Sequence, residues 1–381
     1  METRREFLQK TAAAGIAGIV ASGVAPVFAK ERAAPSGVTL EEAWKVHRKC
    51  LIIDGHNDGP VERVARKENP INWMNRDTSY QTDIPRMKEN GQQYTAFMIV
   101  GNGLVANVWA TTERIMDLID LYPNNIMKVL SSADTVRAGK TGKMGVILSI
   151  EGPAKWLEGR IETLHVFYRL GIREVSITHG EGGNDPASLQ GTPSPFRLCT
   201  AGEREEERKK AVGLTAFGRE VLKTENELGI VTDLAHINDK AFYDVLEHTT
   251  RPPISSHTNV FALCQHSYNL TDDQLKALSA KGGVIGIIPY HGLIDTDPQK
   301  ETIDRLVDHI LYVADLVGID TVGIGSDFDG GADLSGISDG SQLVNLTRAM
   351  LARGLNEEEI EKIWGGNFLR VLRQTIDKPE K

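Results

Sequence analysis

The chain has 381 residues, of which 40% are hydrophobic and 25% are charged. This composition is typical of a globular protein and excludes a disordered chain or a long coiled coil. The net charge is -9, and no run of Lys and Arg stands out, which argues against a nucleic-acid partner. The three cysteines are widely spaced and form no metal-binding pattern: Cys50, Cys199 and Cys264. The sequence does not decide whether two of them form a disulfide.

The first 29 residues have the pattern of an export signal. Two adjacent arginines at positions 4 and 5 precede a Phe-Leu pair, and a run rich in Ala and Gly leads to the small residue Ala29. This resembles a bacterial twin-arginine signal peptide, so we expect the twin-arginine export machinery to deliver residues 30–381 to the periplasm or outside the cell. The alternative is a short membrane anchor, but the glycines and the proline of this run disfavour a permanent span. No second long apolar segment follows, so we expect no stable membrane span after processing.

Apolar runs of strand length recur along the rest of the chain and alternate with segments of helical periodicity. Continuous apolar strands alternating with helices are typical of a parallel sheet covered by helices. Eight such units favour an α/β fold, a TIM (β/α)8 barrel in a single domain, and no Gly-X-Gly-X-X-Gly turn indicates a dinucleotide site. The predicted strands cover residues 51–54, 94–100, 145–150, 174–178, 230–234, 253–256, 284–288 and 322–326.

Histidines and acidic residues follow six of the eight predicted strands. A barrel builds its active site at the C-terminal ends of its strands, so these side chains are expected on one rim. One histidine at a strand end is usually a loop or capping residue, but six such ends together indicate a metal site. In chain order the residues are His56 with Asp58, Glu151, His179, His236, His257, and Asp327 with Asp329.

Five of these side chains exceed what one tetrahedral zinc ion with an open position uses, so the set favours two metal ions. A carboxylate such as Glu151 can bridge the two ions, and a water shared between them ionises near neutral pH and attacks a carbonyl. We expect Asp327 to accept the proton of that water, with Asp329 as the alternative base or a loop cap. His179 is expected to donate to the oxyanion, and Asp54 to support the metal ligands from behind. The expected ligands are His56, Asp58, Glu151, His236 and His257.

The motifs at these strand ends resemble those of the membrane dipeptidase (renal dipeptidase) family of zinc peptidases, a branch of the amidohydrolase-like barrels. The resemblance implies two Zn2+ ions per chain, one held by His56 and Asp58 and the other by His236 and His257, with Glu151 bridging. It also implies a metallo-dipeptidase that cleaves a dipeptide-like small molecule. A homodimer is left open. The matching segments are 53–58, 149–152, 177–179, 213–218, 232–236, 255–257, 325–330 and 365–370.

Two segments differ from the pattern of that family. Tyr268 stands where the family has an arginine that binds the terminal carboxylate of the substrate, and the loop after His179 is followed by an insert through Lys210. We expect His179, Tyr268 and Tyr290 to contact the substrate. An alternative is a metal-dependent amidohydrolase acting on an N-acyl amino acid, a lactam or a lactone, and another is a periplasmic binding protein without catalytic activity.

Overall fold

The structure is a computed structural model that describes residues 37–378, except 67, 69, 92–93, 102–107 and 184. The predicted signal peptide, residues 1–29, lies outside the described residues. Within the described part of the chain, no helix has the length and apolar character that crossing a membrane requires.

Nine parallel strands form one sheet, and eight of them close into a barrel. The strands are β1 Ile52–Asn57, β2 Tyr94–Gly101, β3 Ile126–Lys128, β4 Met144–Ile150, β5 Ile172–Ser176, β6 Val231–Asp233, β7 Ile254–Thr258, β8 Val284–Ile287 and β9 Val322–Ile324. Closure follows from the pairing of β2 with β4 on one side and with β1 on the other. All eight predicted strands are present, and the predicted TIM barrel is confirmed.

Strand β3 is the one element of the sheet that the sequence pattern did not predict. It pairs with residues 144–146 at the start of β4, whereas β5 pairs with residues 148–150 at its end. The strand has only three residues, and only Ile126 among them is fully buried. A segment that short and that exposed carries no hydrophobic pattern that a sequence reading can detect.

Helices cover the outside of the barrel and connect successive strands. Several helices begin at a residue whose side chain caps the first turn. At the first helix, the Thr39 side chain accepts from the N–H of Glu42, and the Glu42 side chain accepts from the N–H of Thr39. The helices are α1 Leu40–His47, α2 Gly59–Ala65, α3 Ile84–Glu89, α4 Val108–Leu121, α5 Ser132–Lys140, α6 Ala154–Leu157, α7 Ile161–Leu170, α8 Ala201–Lys210, α9 Ala216–Leu228, α10 Asp239–His248, α11 Asp272–Ala280, α12 Ile303–Val317, α13 Val344–Ala352, α14 Glu357–Glu361 and α15 Asn367–Thr375.

The C-terminal helix α15 closes the barrel at the end opposite the predicted active site. Phe368 is fully buried and packs with the inward-facing residues of the strands, including Phe97 at a ring distance of 5.8 Å. A Cβ atom at Gly55 or Gly323 would lie only 2.7 Å or 2.5 Å from the Phe368 ring, so both positions need glycine. The barrel interior is therefore filled at its base, and polar groups collect at the other end.

The three cysteines are buried and unpaired in this structure: Cys50, Cys199 and Cys264.

Candidate metal centre

The side chains predicted to bind metal meet at the C-terminal rim of the barrel. His56 lies near the end of β1, Asp58 follows that strand, and Glu151 follows β4. These three and His257, which lies in β7, are almost fully buried, whereas His236 after β6 is partly exposed. The tertiary structure therefore collects residues from four strands, up to about 200 positions apart, in one buried cluster.

The Glu151 carboxylate occupies the middle of this cluster. Its Oε1 atom lies 3.0 Å from Nε2 of His236, 3.6 Å from Nε2 of His257 and 3.8 Å from Nε2 of His56. Its Oε2 atom lies 3.5 Å from Nε2 of His179. One carboxylate thus faces imidazoles from four strands.

Two further carboxylates face His56. Its Nε2 atom lies 3.3 Å from Oδ2 of Asp58 and 3.8 Å from Oδ1 of Asp327. On the opposite side of the cluster, the Nε2 atoms of His236 and His257 are 3.0 Å apart. Three overlapping groups therefore have donor atoms close enough to share an ion: His56 with Asp58 and Glu151, His56 with His257 and Asp327, and Glu151 with His179 and His236.

The cluster contains buried polar atoms whose hydrogen-bonding capacity the protein does not satisfy. Both carboxylate oxygens of Glu151 and Nε2 of His56 are buried without a hydrogen-bond partner. Burying such atoms costs free energy unless another group satisfies them, and a metal ion is a group that does. Imidazole nitrogens and carboxylate oxygens are also the donors that divalent metals such as zinc accept. The residues present therefore fit a metal centre.

Charge within the cluster keeps the central carboxylate ionised. Burial raises the pKa of Glu151, but the imidazoles of His179, His236 and His56 outweigh burial and hold that pKa well below its usual range. Burial lowers the pKa of His56, but the carboxylates of Glu151, Asp58 and Asp327 reverse this effect and raise the pKa to about 10. An ionised Glu151 is the form that binds a cation.

The backbone at two strand ends adopts an unusual conformation. His236 and Asp327 have φ angles of 61° and 51°, in the left-handed region that residues other than glycine rarely occupy. Such strain costs about 1–3 kcal/mol and persists where surrounding structure enforces it, typically at functional sites. Beside them, a Cβ atom at Gly330 would overlap the carboxylates of Asp327 and Asp58. This close approach explains why residue 330 is a glycine.

Buried Asp54 lies behind the cluster, as the sequence predicted, and bonds to the neighbouring strand. Its carboxylate accepts from the backbone N–H and the hydroxyl of Ser326, both at 2.7 Å. An equivalent pair on the other side was missed by the sequence reading. Asp233 accepts from the N–H and the hydroxyl of Ser256 at 2.7 Å, and Ser256 Oγ lies 2.7 Å from Nδ1 of His257. The available signal was a polar Asp in an otherwise apolar strand.

Residues 40–381 match the model of the membrane dipeptidase family, peptidase family M19. The chain belongs to this family. The resemblance seen in the sequence motifs is therefore confirmed.

Individual relatives agree with the family match. Dipeptidase tcpJ of Claviceps purpurea (strain 20.1) is 32% identical over 266 residues, which cover 70% of this chain and 59% of that protein. The structure of a Rhodobacter sphaeroides metallopeptidase liganded with a phosphinate mimic of the dipeptide L-Ala-D-Ala is 24% identical, with a TM-score of 0.77, and the match covers 86% of this chain and 99% of that one. The structure of the M19 metallopeptidase dipeptidase AC gives a TM-score of 0.76 at 25% identity, with the same coverage. Both solved structures share the barrel fold of this chain.

In this M19 family member, Asp329 has a structural environment different from that of Asp327. Its carboxylate accepts from the N–H of Gln81 at 2.7 Å and from the hydroxyl of Thr82 at 2.6 Å, and it lies 3.9 Å from Arg63. These contacts fasten the loop after β9 to the segment before α3. The sequence left two roles open for Asp329, an alternative base or a loop cap. These contacts fit the loop cap.

The two tyrosines predicted to contact the substrate lie near a phenylalanine from the insert, and Tyr268 borders the metal cluster. The Tyr268 ring lies 4.7 Å from the His236 ring, and its hydroxyl donates to the carbonyl oxygen of His257 at 2.7 Å. Phe196 lies 5.5 Å from Tyr268 and 6.2 Å from Tyr290. No sequence pattern indicates Phe196, because its contacts depend on how the insert folds back over the rim.

Proposed function

We propose that this protein is a binuclear zinc hydrolase that cleaves the amide bond of a dipeptide or a related small molecule. The observation that carries the proposal is the buried Glu151 carboxylate, whose oxygens lie 3.0 Å to 3.8 Å from imidazoles of four strands while most of their hydrogen-bonding capacity stays unused. In the proposed centre, His56 and Asp58 hold one ion, His236 and His257 hold the other, and Glu151 contacts both. The dipeptidase relative supports the choice of substrate class.

When bound, the two zinc ions would polarise the scissile carbonyl and lower the pKa of a shared water so that it attacks as hydroxide. The residues of the chain complete the reaction. Asp327 stands beside His56 on the rim, where its carboxylate can take the proton of the attacking water and deliver it to the leaving amine. His179, whose Nε2 lies 3.5 Å from Glu151, is placed to donate to the oxyanion of the tetrahedral intermediate.

Metal analysis and a single substitution test the proposal. The purified protein should contain about two zinc ions per chain, as a bridged site implies. Glu151→Gln keeps the size of the side chain and removes the charge, so we expect loss of one ion and a fall of more than about 100-fold in kcat/KM. Glu158→Gln, an exposed glutamate at the end of α6, is the matched control. A fully metallated and fully active Glu151→Gln protein would refute the bridging role.

The substrate panel should contain L-Ala-L-Ala and L-Ala-D-Ala, since a mimic of the latter occupies the Rhodobacter metallopeptidase. It should also contain N-acyl amino acids, lactams and lactones, because Tyr268 in place of a cation favours a substrate other than a free dipeptide as the second candidate. Absence of metal and of turnover on the whole panel would favour a binding protein. The convergence of five proposed metal ligands argues against a binding protein without catalytic activity.

We further propose export by the twin-arginine pathway with cleavage after Ala29. The two adjacent arginines and the Ala/Gly-rich run support it. Replacing both arginines by lysine should retain the protein in the cytoplasm of the expressing bacterium, as measured by cell fractionation and N-terminal sequencing. Unchanged processing would contradict the assignment.

A further inference from the structure

A cavity of about 340 Å³ opens beside the metal centre and borders His236 and Tyr268. It lies between strands β6 and β7 on one side and residues 192–211, here called the roof segment, on the other. Its volume falls within the range of small-molecule sites. The proposed chemistry at the metal centre leaves this space without a role. Much of its wall is apolar, from Pro193, Pro195, Ala211, Leu234, Ile237 and Leu270.

The roof segment is held at both ends, so the cavity is a built feature. Before it, the N–H of Gly191 donates to the carbonyl oxygen of Gly213 at 2.8 Å, which closes the neck of the insert. Further along, Arg197 and Ser267 exchange two bonds: the Arg197 N–H donates to Ser267 Oγ at 3.0 Å, and the Ser267 N–H donates to the Arg197 carbonyl at 2.8 Å. The second connection ends one residue before Tyr268.

Arg204 is the only buried cation that lines the cavity in the described chain, and four of its five N–H donors are already used. Its Nε and Nη2 atoms donate to the two oxygens of Asp239 at 2.8 Å and 2.7 Å. Its Nη1 atom donates to the Asn269 carbonyl at 2.5 Å, and Nη2 also reaches Gln274 at 2.9 Å. This guanidinium fastens α8 to α10 and α11 and has no open pair of donors for a carboxylate.

The two other cations of the cavity wall are exposed. Arg208 forms an ion pair with Glu205 at 2.9 Å on the outer face of α8, and Lys210 lies at the exposed end of that helix. An ion pair with an exposed cation contributes little, because water screens its charges. Neither residue provides a buried binding site for a carboxylate.

Several hydroxyl groups also line the cavity, and those of Thr258 and Ser267 donate to the backbone carbonyls of Tyr268 at 3.0 Å and Pro195 at 2.8 Å. The Tyr268 hydroxyl donates its proton to the His257 carbonyl, so it is not available to donate to a carboxylate. Ser255, which lines the cavity and is 1% exposed, has a hydroxyl with no hydrogen-bond partner. A single buried hydroxyl satisfies a neutral polar atom, whereas a buried carboxylate needs several donors or a cation.

We propose that this cavity binds an uncharged, mainly apolar substituent of the substrate, so that the enzyme prefers dipeptide-like amides without a free carboxylate at that end. The inference rests on the proposed hydrolase function and specifies its substrate class. A carboxylate entering the cavity would lose hydration without gaining a buried cation. An aryl or alkyl group would instead exchange water for the apolar wall.

A matched pair of substrates tests the proposal on the metal-loaded protein. L-Ala-L-Phe and L-alanine phenethylamide differ only in the carboxylate, and both release alanine. We expect kcat/KM for the phenethylamide to be about tenfold higher or more, because the carboxylate is penalised. A preference of threefold or more for L-Ala-L-Phe would overturn the substrate class and leave the hydrolase function standing.

Substitutions locate the effect in the cavity. Ser255→Leu fills its inner end, so kcat/KM should fall about tenfold for the phenethylamide and less than threefold for L-alanine ethylamide. Ala211→Leu fills it from the roof segment and should show the same selectivity if Ser255→Leu does not fold. Lys209→Ala, paired with Glu206 on the outer face of α8, is the control. Equal losses on both amides in both variants would refute the location.

A binding measurement distinguishes failure of this inference from failure of the hydrolase proposal. If no compound is cleaved, calorimetric titration of the metal-loaded protein with L-alanine phenethylamide and with L-Ala-L-Phe still compares the two ligands. Binding of the phenethylamide about tenfold tighter, lost in Ser255→Leu, supports the cavity assignment while the hydrolase proposal fails. Equal binding of both compounds, or tighter binding of the acid, refutes the cavity assignment.

Discussion

Two carboxylate–serine pairs support the metal centre from opposite sides, and they differ in what they hold. The Asp54–Ser326 pair connects β1 to the end of β9, and Ser326 Oγ, which donates to Asp54, also lies 3.1 Å from the carbonyl oxygen of His56. The Asp233–Ser256 pair connects β6 to β7, and its serine contacts the His257 side chain directly. The first pair therefore fixes the backbone of a proposed ligand, and the second fixes an imidazole ring.

The two carboxylates also differ in their surroundings. Asp54 accepts from neutral donors on several residues, including the Tyr94 hydroxyl at 2.9 Å and the Asn57 amide at 3.2 Å. Near Asp233 lies a second buried carboxylate, Glu225, which accepts from Thr232 at 2.6 Å. The Asp54 carboxylate thus shares donors from several residues, whereas Asp233 has a second buried carboxyl group beside it. The β6 side should consequently be the more sensitive to pH and substitution.

The largest expected effect concerns Glu225. Burial raises its pKa from 4.5 to about 8, although the bond from Thr232 opposes the shift. Between pH 4.5 and pH 8, the folded state therefore binds more protons than the unfolded state. The free energy of unfolding consequently falls as the pH rises through this range. Glu225→Gln should remove that decline, a difference on the order of 3 kcal/mol between pH 5 and pH 8. Urea unfolding at several pH values measures it, and identical pH profiles for the two proteins would contradict the prediction.

Next in size is the effect of Ser256→Ala on metal binding. Because Ser256 Oγ donates to Asp233, it must accept the Nδ1 proton of His257, which directs the Nε2 lone pair of His257 towards the centre. We expect zinc affinity to fall about 10- to 100-fold in a chelator competition assay. Ser255→Ala, the adjacent buried serine without this contact, should bind zinc as the wild type does. Equal affinities of Ser256→Ala and wild type would show that the ring needs no support from Ser256.

A smaller effect, of a different kind, is expected for Ser326→Ala. This change removes a buried hydroxyl that bonds to Asp54 and to the backbone, so the free energy of unfolding should fall by about 1–3 kcal/mol. Zinc affinity should change by less than threefold, since no ligand side chain loses its partner. Denaturant unfolding and chelator competition on the same sample separate the two quantities. A large loss of zinc with unchanged stability would reverse the comparison.

Tyr94→Phe should give the smallest effect, about 0.5–1.5 kcal/mol in the free energy of unfolding, because Asp54 keeps its other donors. Thermal unfolding at pH 7 measures it. A loss as large as that of Ser326→Ala would mean that Asp54 depends on each donor separately and is not held by a shared set.

The sequence by itself determined the barrel and the residues of its rim. Alternation of apolar strands and helices is a local pattern, and parallel strands necessarily place their C-terminal ends together, so His56, Glu151, His236 and His257 were found without coordinates. The family motifs added to the same prediction. The segment Ile126–Lys128 escaped detection because three half-exposed residues carry no period.

Only the tertiary structure decided how the site is supported and what surrounds it. Three contacts join residues 11 to 70 positions apart, and no spacing in the sequence reveals them: the Asp233–Ser256 pair, the bond from Arg197 in the roof segment to Ser267, and the bond from Tyr268 to the His257 carbonyl. The sequence predicts that Tyr268 contacts the substrate, and only the structure shows that its hydroxyl donates to the His257 carbonyl. Which side chain remains available for a ligand depends on contacts formed when the chain closes, and these have no local signal.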